Sequence, residues 1–286
     1  MGTSQFAEWA TSFEAAAERR RADGDPDWAR GAELDAVIVR SLQRFQLGES
    51  GDGANLAAKA SLGGDESYAK AVRLFIAEER EHARLLAALL TAANARVISS
   101  HWSDALFTRL RRALGLNLEL MVLFVAEFIA LSYYQACRDG AGDPLAAEAA
   151  RRILADEERH VRFHSQRLRL AFAGLPPVAR PAVSWAWQLL MIGTACAVLI
   201  DHVAALRRLG VPRRQFTARV LGGFRSTVTS IRRGNTSPAP ERAGEPPRAG
   251  HPAPQNTTLW VASESAAFVG LKHAYRRIAR SARNEG

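Results

Sequence analysis

Two short stretches of the chain, Ile76-Ala-Glu-Glu-Arg-Glu-His82 and Leu154-Ala-Asp-Glu-Glu-Arg-His160, repeat the pattern Glu-x-x-His. Residues three apart on an α-helix lie on one face, with Cβ atoms about 5–6 Å apart. Each stretch can therefore offer a carboxylate oxygen and an imidazole nitrogen to one metal ion. One such pair is weak evidence, but two in the same chain predict a shared metal site. The pairs are Glu79 with His82 and Glu157 with His160.

Partner carboxylates lie at equal distances before the two motifs. Glu49 precedes Glu79 by 30 residues, and Glu127 precedes Glu157 by 30 residues. Turn signals fall midway in both intervals, at residues 63–65 and 139–144. If each interval is a helical hairpin, a rise of about 1.5 Å per residue returns the second Glu to nearly the height of the first. Four carboxylates and two imidazoles would then meet at one level.

This pattern resembles the ferritin-like di-iron carboxylate superfamily over roughly residues 32–170. That superfamily takes one Glu from each of two helices and Glu-x-x-His from each of two others. The resemblance implies an all-α, ferritin-like four-helix bundle of two hairpins joined by a long crossover. It also implies two iron ions as cofactor, with Mn/Fe or Mn/Mn pairs as alternatives. The implied metal ligands are Glu49, Glu79, His82, Glu127, Glu157 and His160.

Further acidic and aromatic residues are candidates for the surroundings of the site. Glu78 and Asp156 each precede a motif histidine by four residues, so each could accept the ring N–H that the metal does not use; such pairs are also routine on helix surfaces. Tyr134 and His164 are candidates for lining a pocket, with His164 a neighbour of the metals rather than a ligand. Other candidates, which ordinary core packing also explains, are Phe45, Phe75, Phe124 and Phe128.

Four long helices are predicted, at about residues 32–61, 65–94, 104–138 and 144–172. Asp65 and Asp143 are expected N-caps, and Pro144 suits the first helical position. Glycines 48, 51 and 53 surround Glu49, which indicates either a local bulge beside the metals or a break that leaves Glu49 in a solvated turn. Glu33 is a fallback ligand with poorer spacing.

Glu127 lies within Phe124-Val-Ala-Glu-Phe-Ile-Ala-Leu131, with apolar residues on every side. An unpaired ionised carboxylate there would be costly to bury. Metal ligation accounts for it, and a buried protonated Glu in a helix pair is the alternative.

The rest of the chain divides by composition. Residues 1–30 are expected to be a lead-in without chemistry, followed by the bundle at 31–174 and an apolar helix with a basic amphipathic segment at 175–232. Residues 182–200 contain no charge, which suits a fifth helix packed on the bundle or in peripheral membrane contact better than a membrane span. The sequence also predicts a Pro-rich linker at 233–257 and a disordered basic tail at 258–286, with a short helix near 258–283.

The charge distribution and the cysteine count limit which classes of protein this chain can belong to. The formal net charge of +9 is uneven: residues 1–170 hold 22 Lys and Arg against 24 Asp and Glu, whereas residues 171–286 hold 16 against 5. The two cysteines, Cys137 and Cys196, exclude a disulfide scaffold and a four-thiolate iron centre. No signal-peptide pattern is evident, so a cytoplasmic location with membrane association as an option is expected. Asp201 and His202 would form a second metal site only if other ligands converged on them.

Carboxylate and imidazole ligands without thiolate suit iron or manganese rather than structural zinc. The resemblance implies a di-iron protein that activates O2, and an oxidase or oxygenase of a small organic substrate with an external electron donor is favoured. One alternative is a ferroxidase, iron-handling or peroxide-detoxifying protein. Another is an RNA- or membrane-associated protein with a vestigial site, and a basic tail leaves open a hydroxylase acting on transfer RNA. Peripheral membrane contact through residues 182–233 and a homodimer are further expectations.

Overall fold

The structure is a computed structural model that describes residues 5–112 and 115–234. This part of the chain is all-α and contains no strand, as predicted. The predicted linker beyond residue 234, the basic tail and the helix expected near 258–283 lie outside the described residues. The helices are α1 Ala7–Asp23, α2 Ala36–Glu49, α3 Ala54–Leu62, α4 Glu66–Ala92, α5 Trp102–Arg112, α6 Leu116–Gly140, α7 Pro144–Ala173, α8 Ala179–Arg208 and α9 Arg213–Arg233, with a short 3-10 turn at Trp28–Arg30.

The two predicted N-caps are confirmed. The Asp65 carboxylate accepts a hydrogen bond from the backbone N–H of Tyr68 at the start of α4, at 3.0 Å. Asp143 accepts from the N–H of Ala146 at 2.9 Å, and Pro144 is the first residue of α7. Each cap satisfies an N–H that has no partner within its helix. These caps fix where the two motif-bearing helices begin.

The first predicted helix is broken into α2 and α3. The turn at residues 50–53 separates them, so the prediction of one helix over 32–61 was wrong. Gly53 has φ +64°, and a Cβ placed there would lie 2.6 Å from Cγ2 of Ile76 on α4. The close approach of α4 and the left-handed backbone both require glycine at this position. Glu49 therefore becomes the last residue of α2.

The third predicted helix is also divided. Expected over 104–138, it consists of α5, which ends at Arg112, and α6, which begins at Leu116. Residues 93–101 and α5 together connect α4 to α6. The connection is thus partly helical, whereas the sequence predicted an extended segment over about 95–104 followed directly by one long helix.

The core forms where α2, α4, α6 and α7 face one another, with α6 lying along α7 and α2 lying along α4. The N-terminal helix α1 packs on α4. Its Trp9 and Phe13, both about 1% exposed, contact Phe163 on α7. Helices α8 and α9 pack on each other and on α6. The indole N–H of Trp187 on α8 donates to the backbone carbonyl of Met121 on α6, at 2.8 Å.

Two of the described helices are long and apolar enough to cross a membrane by length and composition alone. The apolar window of α6 is 67% buried, as in the core helix of a soluble protein, whereas that of α8 is only 33% buried. On α8, one face lies against α6 and the opposite face carries an exposed apolar stripe. The stripe consists of Trp185, Leu189, Ile192 and Ile200.

Candidate metal centre

Two carboxylates and two imidazoles converge between α4 and α7. Each of Glu79, His82, Glu157 and His160 offers one ligand atom, and these four atoms lie within 4.8 Å of one another. Nδ1 of His160 is 3.1 Å from Oε1 of Glu79, and Nδ1 of His82 is 3.5 Å from Oε1 of Glu157. Because the pairs are one turn apart on their helices and the helices face each other, both motifs point at one centre. This group could bind a metal ion.

The two single glutamates lie next to this group. Oε2 of Glu127, on α6, is 3.4 Å from Nδ1 of His160, and the residue is 3% exposed. Glu49, on α2, is 9% exposed and accepts a hydrogen bond from the hydroxyl of Tyr134 at 2.7 Å. Helix α2 does end at Glu49, yet the side chain is buried rather than solvated. The fallback Glu33 is exposed and lies before α2.

Several buried polar atoms at the centre have no hydrogen-bond partner among the described residues. Among the described residues, four buried ligand atoms have no hydrogen-bond partner: Oε1 of Glu79, Nδ1 of His82, Oε2 of Glu157 and Nδ1 of His160. Buried polar atoms without a partner are costly, and native proteins leave few of them. Divalent cations would satisfy all four at once. The oxygen and nitrogen donors therefore suit iron or manganese.

The second nitrogen of each histidine is held by an acid on the facing helix. Nε2 of His82 is 3.2 Å from Oδ2 of Asp156, and Nε2 of His160 is 3.0 Å from Oε2 of Glu78. The sequence predicted these two acids but paired each with the histidine of its own helix. That pairing was wrong because each ring turns Nδ1 toward the centre, which carries Nε2 across to the opposite helix.

Two arginines bind both Glu78 and Asp156, the outer acids of the centre. The Arg159 guanidinium donates to Glu78 at 2.8 Å and also to Asp156. Arg20 donates to Glu78 at 2.7 Å and to Asp156 at 3.1 Å. Arg20 belongs to α1, so residues 1–30, expected to be a lead-in without chemistry, contribute a side chain that contacts both acids. No spacing or motif in the sequence links residue 20 to the two acids, whereas Arg159 lies inside the second motif.

This outer network keeps both acids ionised. Burial raises the pKa of Glu78, but the hydrogen bond from His160 and the charge of Arg159 outweigh it, and the net pKa is lowered. Burial likewise raises the pKa of Asp156, but His82, Arg159 and Arg20 together hold it well below its usual range. Ionised acceptors fix the histidine tautomers with Nε2 protonated, which leaves Nδ1 for a metal.

Burial and neighbouring charges also shift the pKa values of the side chains at the centre itself. Burial and the charges of Glu79 and Glu157 raise the pKa of Glu49. Burial, Glu157 and Glu79 raise the pKa of Glu127. Burial lowers the pKa of His82 and His160, but their bonds to the surrounding carboxylates outweigh it and raise both values well above the usual range. The same carboxylates that raise these histidine pKa values lie next to both imidazoles at the centre.

His164, one turn after His160, is fully buried and has no hydrogen-bond partner on either nitrogen among the described residues. Its Nε2 lies 3.9 Å from Oε1 of Glu127. Burial and the nearby charge of His160 lower the pKa of His164 to about 3, so the imidazole is neutral. It borders the centre, as the sequence indicated.

A cavity of about 530 Å³ opens onto the centre. Helices α2, α5, α6 and α8 form most of its wall, and α4 and α7 contribute one residue each. The wall includes Glu49, Glu79, Glu127 and Glu157. Phe45 is the one predicted aromatic that lines this cavity; Phe75, Phe124, Phe128, Tyr134 and His164 do not. Phe124 instead contacts Trp187 of α8 and Phe224 of α9 as core. The sequence missed Trp102 and Phe107, which line the cavity from α5.

A second polar group lies at the α8 side of this cavity. Arg44 pairs with Asp201 at 2.9 Å, and His202 Nδ1 is 2.7 Å from the hydroxyl of Ser41. Nδ1 of His101 is 3.8 Å from Asp201. Within the described part of the chain, the only group of His, Cys, Asp and Glu arranged for a metal is the one between α4 and α7. The convergence that Asp201 and His202 would need for a second site is not present there.

Comparisons with protein-family models, curated proteins and solved structures find no match to this chain.

Proposed function

We propose that this chain is a ferritin-like, non-haem di-iron protein that uses O2 to oxidise a small organic substrate. The observation that carries the proposal is the contact between the cavity and the metal centre: four carboxylates of the centre form part of the cavity wall. A molecule held in the cavity would lie directly against the metals. An Mn/Fe or Mn/Mn pair is the alternative cofactor, and an external electron donor is required.

In this proposal, six side chains hold two iron ions. Iron bound by these side chains would supply the electrons and the open coordination positions for reduction of O2. Glu78 and Asp156 hold the two imidazoles in the ligating tautomer, and Arg20 and Arg159 keep these acids ionised. Tyr134 donates to Glu49 and so positions its carboxylate at the end of α2. The ligands are Glu49, Glu79, His82, Glu127, Glu157 and His160.

A ferroxidase, iron-handling or peroxide-detoxifying protein is the first alternative. The size of the cavity favours an organic substrate, because iron ions and peroxide need much less than about 530 Å³. A vestigial site on an RNA- or membrane-binding protein is the second alternative. The four buried ligand atoms that have no hydrogen-bond partner among the described residues favour a working centre.

We also propose that α8 contacts a membrane surface peripherally. Its exposed apolar stripe is bordered by a basic chain: residues 175–234 contain nine arginines and a single acid, Asp201. An apolar stripe with flanking arginines suits the boundary of an anionic bilayer.

The test of the di-iron proposal is metal content followed by reaction with O2. Protein from iron-replete cells should hold two iron per chain, and Mössbauer spectroscopy should show them as a coupled pair. Anaerobic loading with iron(II) followed by O2 should give a transient visible absorption. The double variant Glu79→Ala, Glu157→Ala should lose the metal, whereas Glu158→Ala, an exposed neighbour on α7, should retain it.

Each alternative predicts a different result. Mineralisation well beyond two iron per chain would identify an iron-storage protein. Absence of bound metal together with salt-dependent binding of RNA or vesicles that survives the double variant would identify a vestigial site.

A further inference from the structure

We propose that the cavity beside the metal centre binds a mainly apolar molecule that carries a hydroxyl or amine group and no carboxylate. This inference rests on the proposed function for its chemical consequence, since it names the class of substrate that the centre would oxidise. The binding itself depends only on the walls of the cavity and can be measured without turnover.

The size and walls of the cavity suit a small organic molecule. Its volume of about 530 Å³ lies within the range of about 300–1,000 Å³ that is typical of ligand sites. Lining residues on α8 run from Leu189 to His202, which at about 1.5 Å per residue corresponds to roughly 20 Å of wall. Leu189 is 63% exposed and Trp102 is 37% exposed, so the cavity reaches the surface beside them. Aliphatic side chains form a large part of the remaining wall, including Leu123, Ala126, Ile129, Leu190, Ala197 and Val198.

The charges around the cavity disfavour an anion. Arg44 is the only lysine or arginine among the described lining residues, and it is already paired. Its guanidinium lies 2.9 Å from Oδ1 of Asp201 and donates to the Asp201 carbonyl at 2.7 Å. On the metal side the wall carries four glutamates, whose charge two divalent ions would only neutralise. A carboxylate entering the cavity would lose its hydration without gaining an unpaired cation.

An unsatisfied acceptor indicates where a donor group would bind. Oδ2 of Asp201 is buried and has no hydrogen-bond partner among the described residues. The nearest ring nitrogens, on His202 and His101, are 3.5 Å and 3.8 Å away, beyond good hydrogen-bond distance. Asp201 lines the cavity. A hydroxyl or amine of the bound molecule would satisfy this oxygen and orient the apolar part along the wall.

Gly193 allows the cavity to be filled without disturbing the helix. It lies within α8 and lines the cavity, and an added Cβ would meet no atom within 4 Å. A leucine there would occupy cavity space and also remove the helix penalty of glycine. Gly222 on α9 is the matched control: it is exposed, and its Cβ would likewise meet nothing within 4 Å. Gly222→Leu makes the same chemical change away from the cavity.

The experiment is calorimetric titration of the full-length chain with 1-octanol, octylamine and sodium octanoate. It is carried out anaerobically on metal-free protein and on protein loaded with iron(II). We expect octanol and octylamine to bind about tenfold more tightly than octanoate, because only they offer a donor to Asp201 without adding a negative charge. Gly193→Leu should weaken binding by about tenfold or more, whereas Gly222→Leu should leave it unchanged.

A second variant tests the role of Asp201. Asp201→Asn removes the negative charge that pairs with Arg44, so octylamine should bind more weakly and octanoate more tightly than in the unchanged chain. Tighter binding of octanoate to the unchanged chain, equal binding to Gly193→Leu, or no binding of any probe would overturn the inference. Metal content is measured on the same samples. Probe binding by a chain that fails to take up iron(II) would refute the di-iron proposal alone, and two iron per chain without probe binding would refute the cavity inference alone.

Discussion

In both motif histidines, Nε2 has a carboxylate partner and Nδ1 has no hydrogen-bond partner among the described residues. The sequence could predict the four motif residues because helical spacing puts them on one face. It could not predict which acid serves which histidine, because that depends on the rotation of each ring and on the facing helix. It could not predict Arg20, since a contact across 58 residues leaves no periodic signal in the chain.

The outer acids should control metal affinity through the histidine tautomers. Asp156→Asn removes the ionised partner of His82 Nε2 and weakens the contacts of Arg20 and Arg159. We expect metal affinity to fall by about 10–100-fold. Competition with a chromophoric chelator measures the change. Glu158→Gln, on the exposed side of α7, is the control. Equal affinity in both variants would show that the contacts of Asp156 and Glu78 with the histidines of the facing helices do not affect metal binding.

The protons at the centre make metal binding dependent on pH. The pKa values of Glu49, Glu127, His82 and His160 are raised in the metal-free fold. Carboxylates and imidazoles bind metal in their deprotonated forms, so metal must displace protons from these groups. Affinity should therefore fall as the pH is lowered and rise as it increases through the raised values. Calorimetry in buffers of different ionisation enthalpy measures the protons released; binding without proton release would contradict this account.

At the scale of the helices, features that depend on neighbouring residues were predicted better than features that depend on tertiary contacts. The caps at Asp65 and Asp143 could be predicted because they depend on residues within one turn. The break after α2 was only one of two interpretations of glycines 48, 51 and 53, and the break before α6 was not predicted. At the first break, the close approach of α4 at Ile76 decides the conformation of Gly53.

Gly53→Ala should therefore destabilise the fold. An L-residue in the left-handed region costs roughly 1–2 kcal/mol, and the 2.6 Å approach to Ile76 adds a steric cost. We expect the free energy of unfolding, measured by urea denaturation, to fall by about 2 kcal/mol or more. Gly48→Ala, in α2 with no atom within 4 Å of its Cβ, should instead be neutral or stabilising. A Gly53→Ala chain as stable as the unchanged chain would show that the turn is free to rearrange.

At the scale of the whole molecule, α8 has two different faces. Trp187 and Met191 pack against the core, which the uncharged run of residues 182–200 could predict only as an apolar helix. The exposed face could not be assigned from the sequence, because apolar residues occur all around the helix. Leu189 belongs to the exposed stripe and also lines the cavity, so the same surface borders the route to the metal centre.

This exposed stripe predicts binding to anionic vesicles. Apolar side chains would enter the boundary of the bilayer, while each nearby arginine would add about 1 kcal/mol of attraction to anionic lipid. The full-length chain should sediment with vesicles of phosphatidylcholine and phosphatidylglycerol, more weakly with phosphatidylcholine alone, and less in about 1 M salt, where screening acts within about 3 Å. Trp185→Ser with Ile192→Ser should abolish binding, whereas Leu62→Ser, an 87% exposed leucine on α3, should not. The alternative outcome is that the chain does not bind vesicles, and that light scattering shows a dimer which becomes a monomer in the double variant. In that case the stripe is an interface between two copies of the chain.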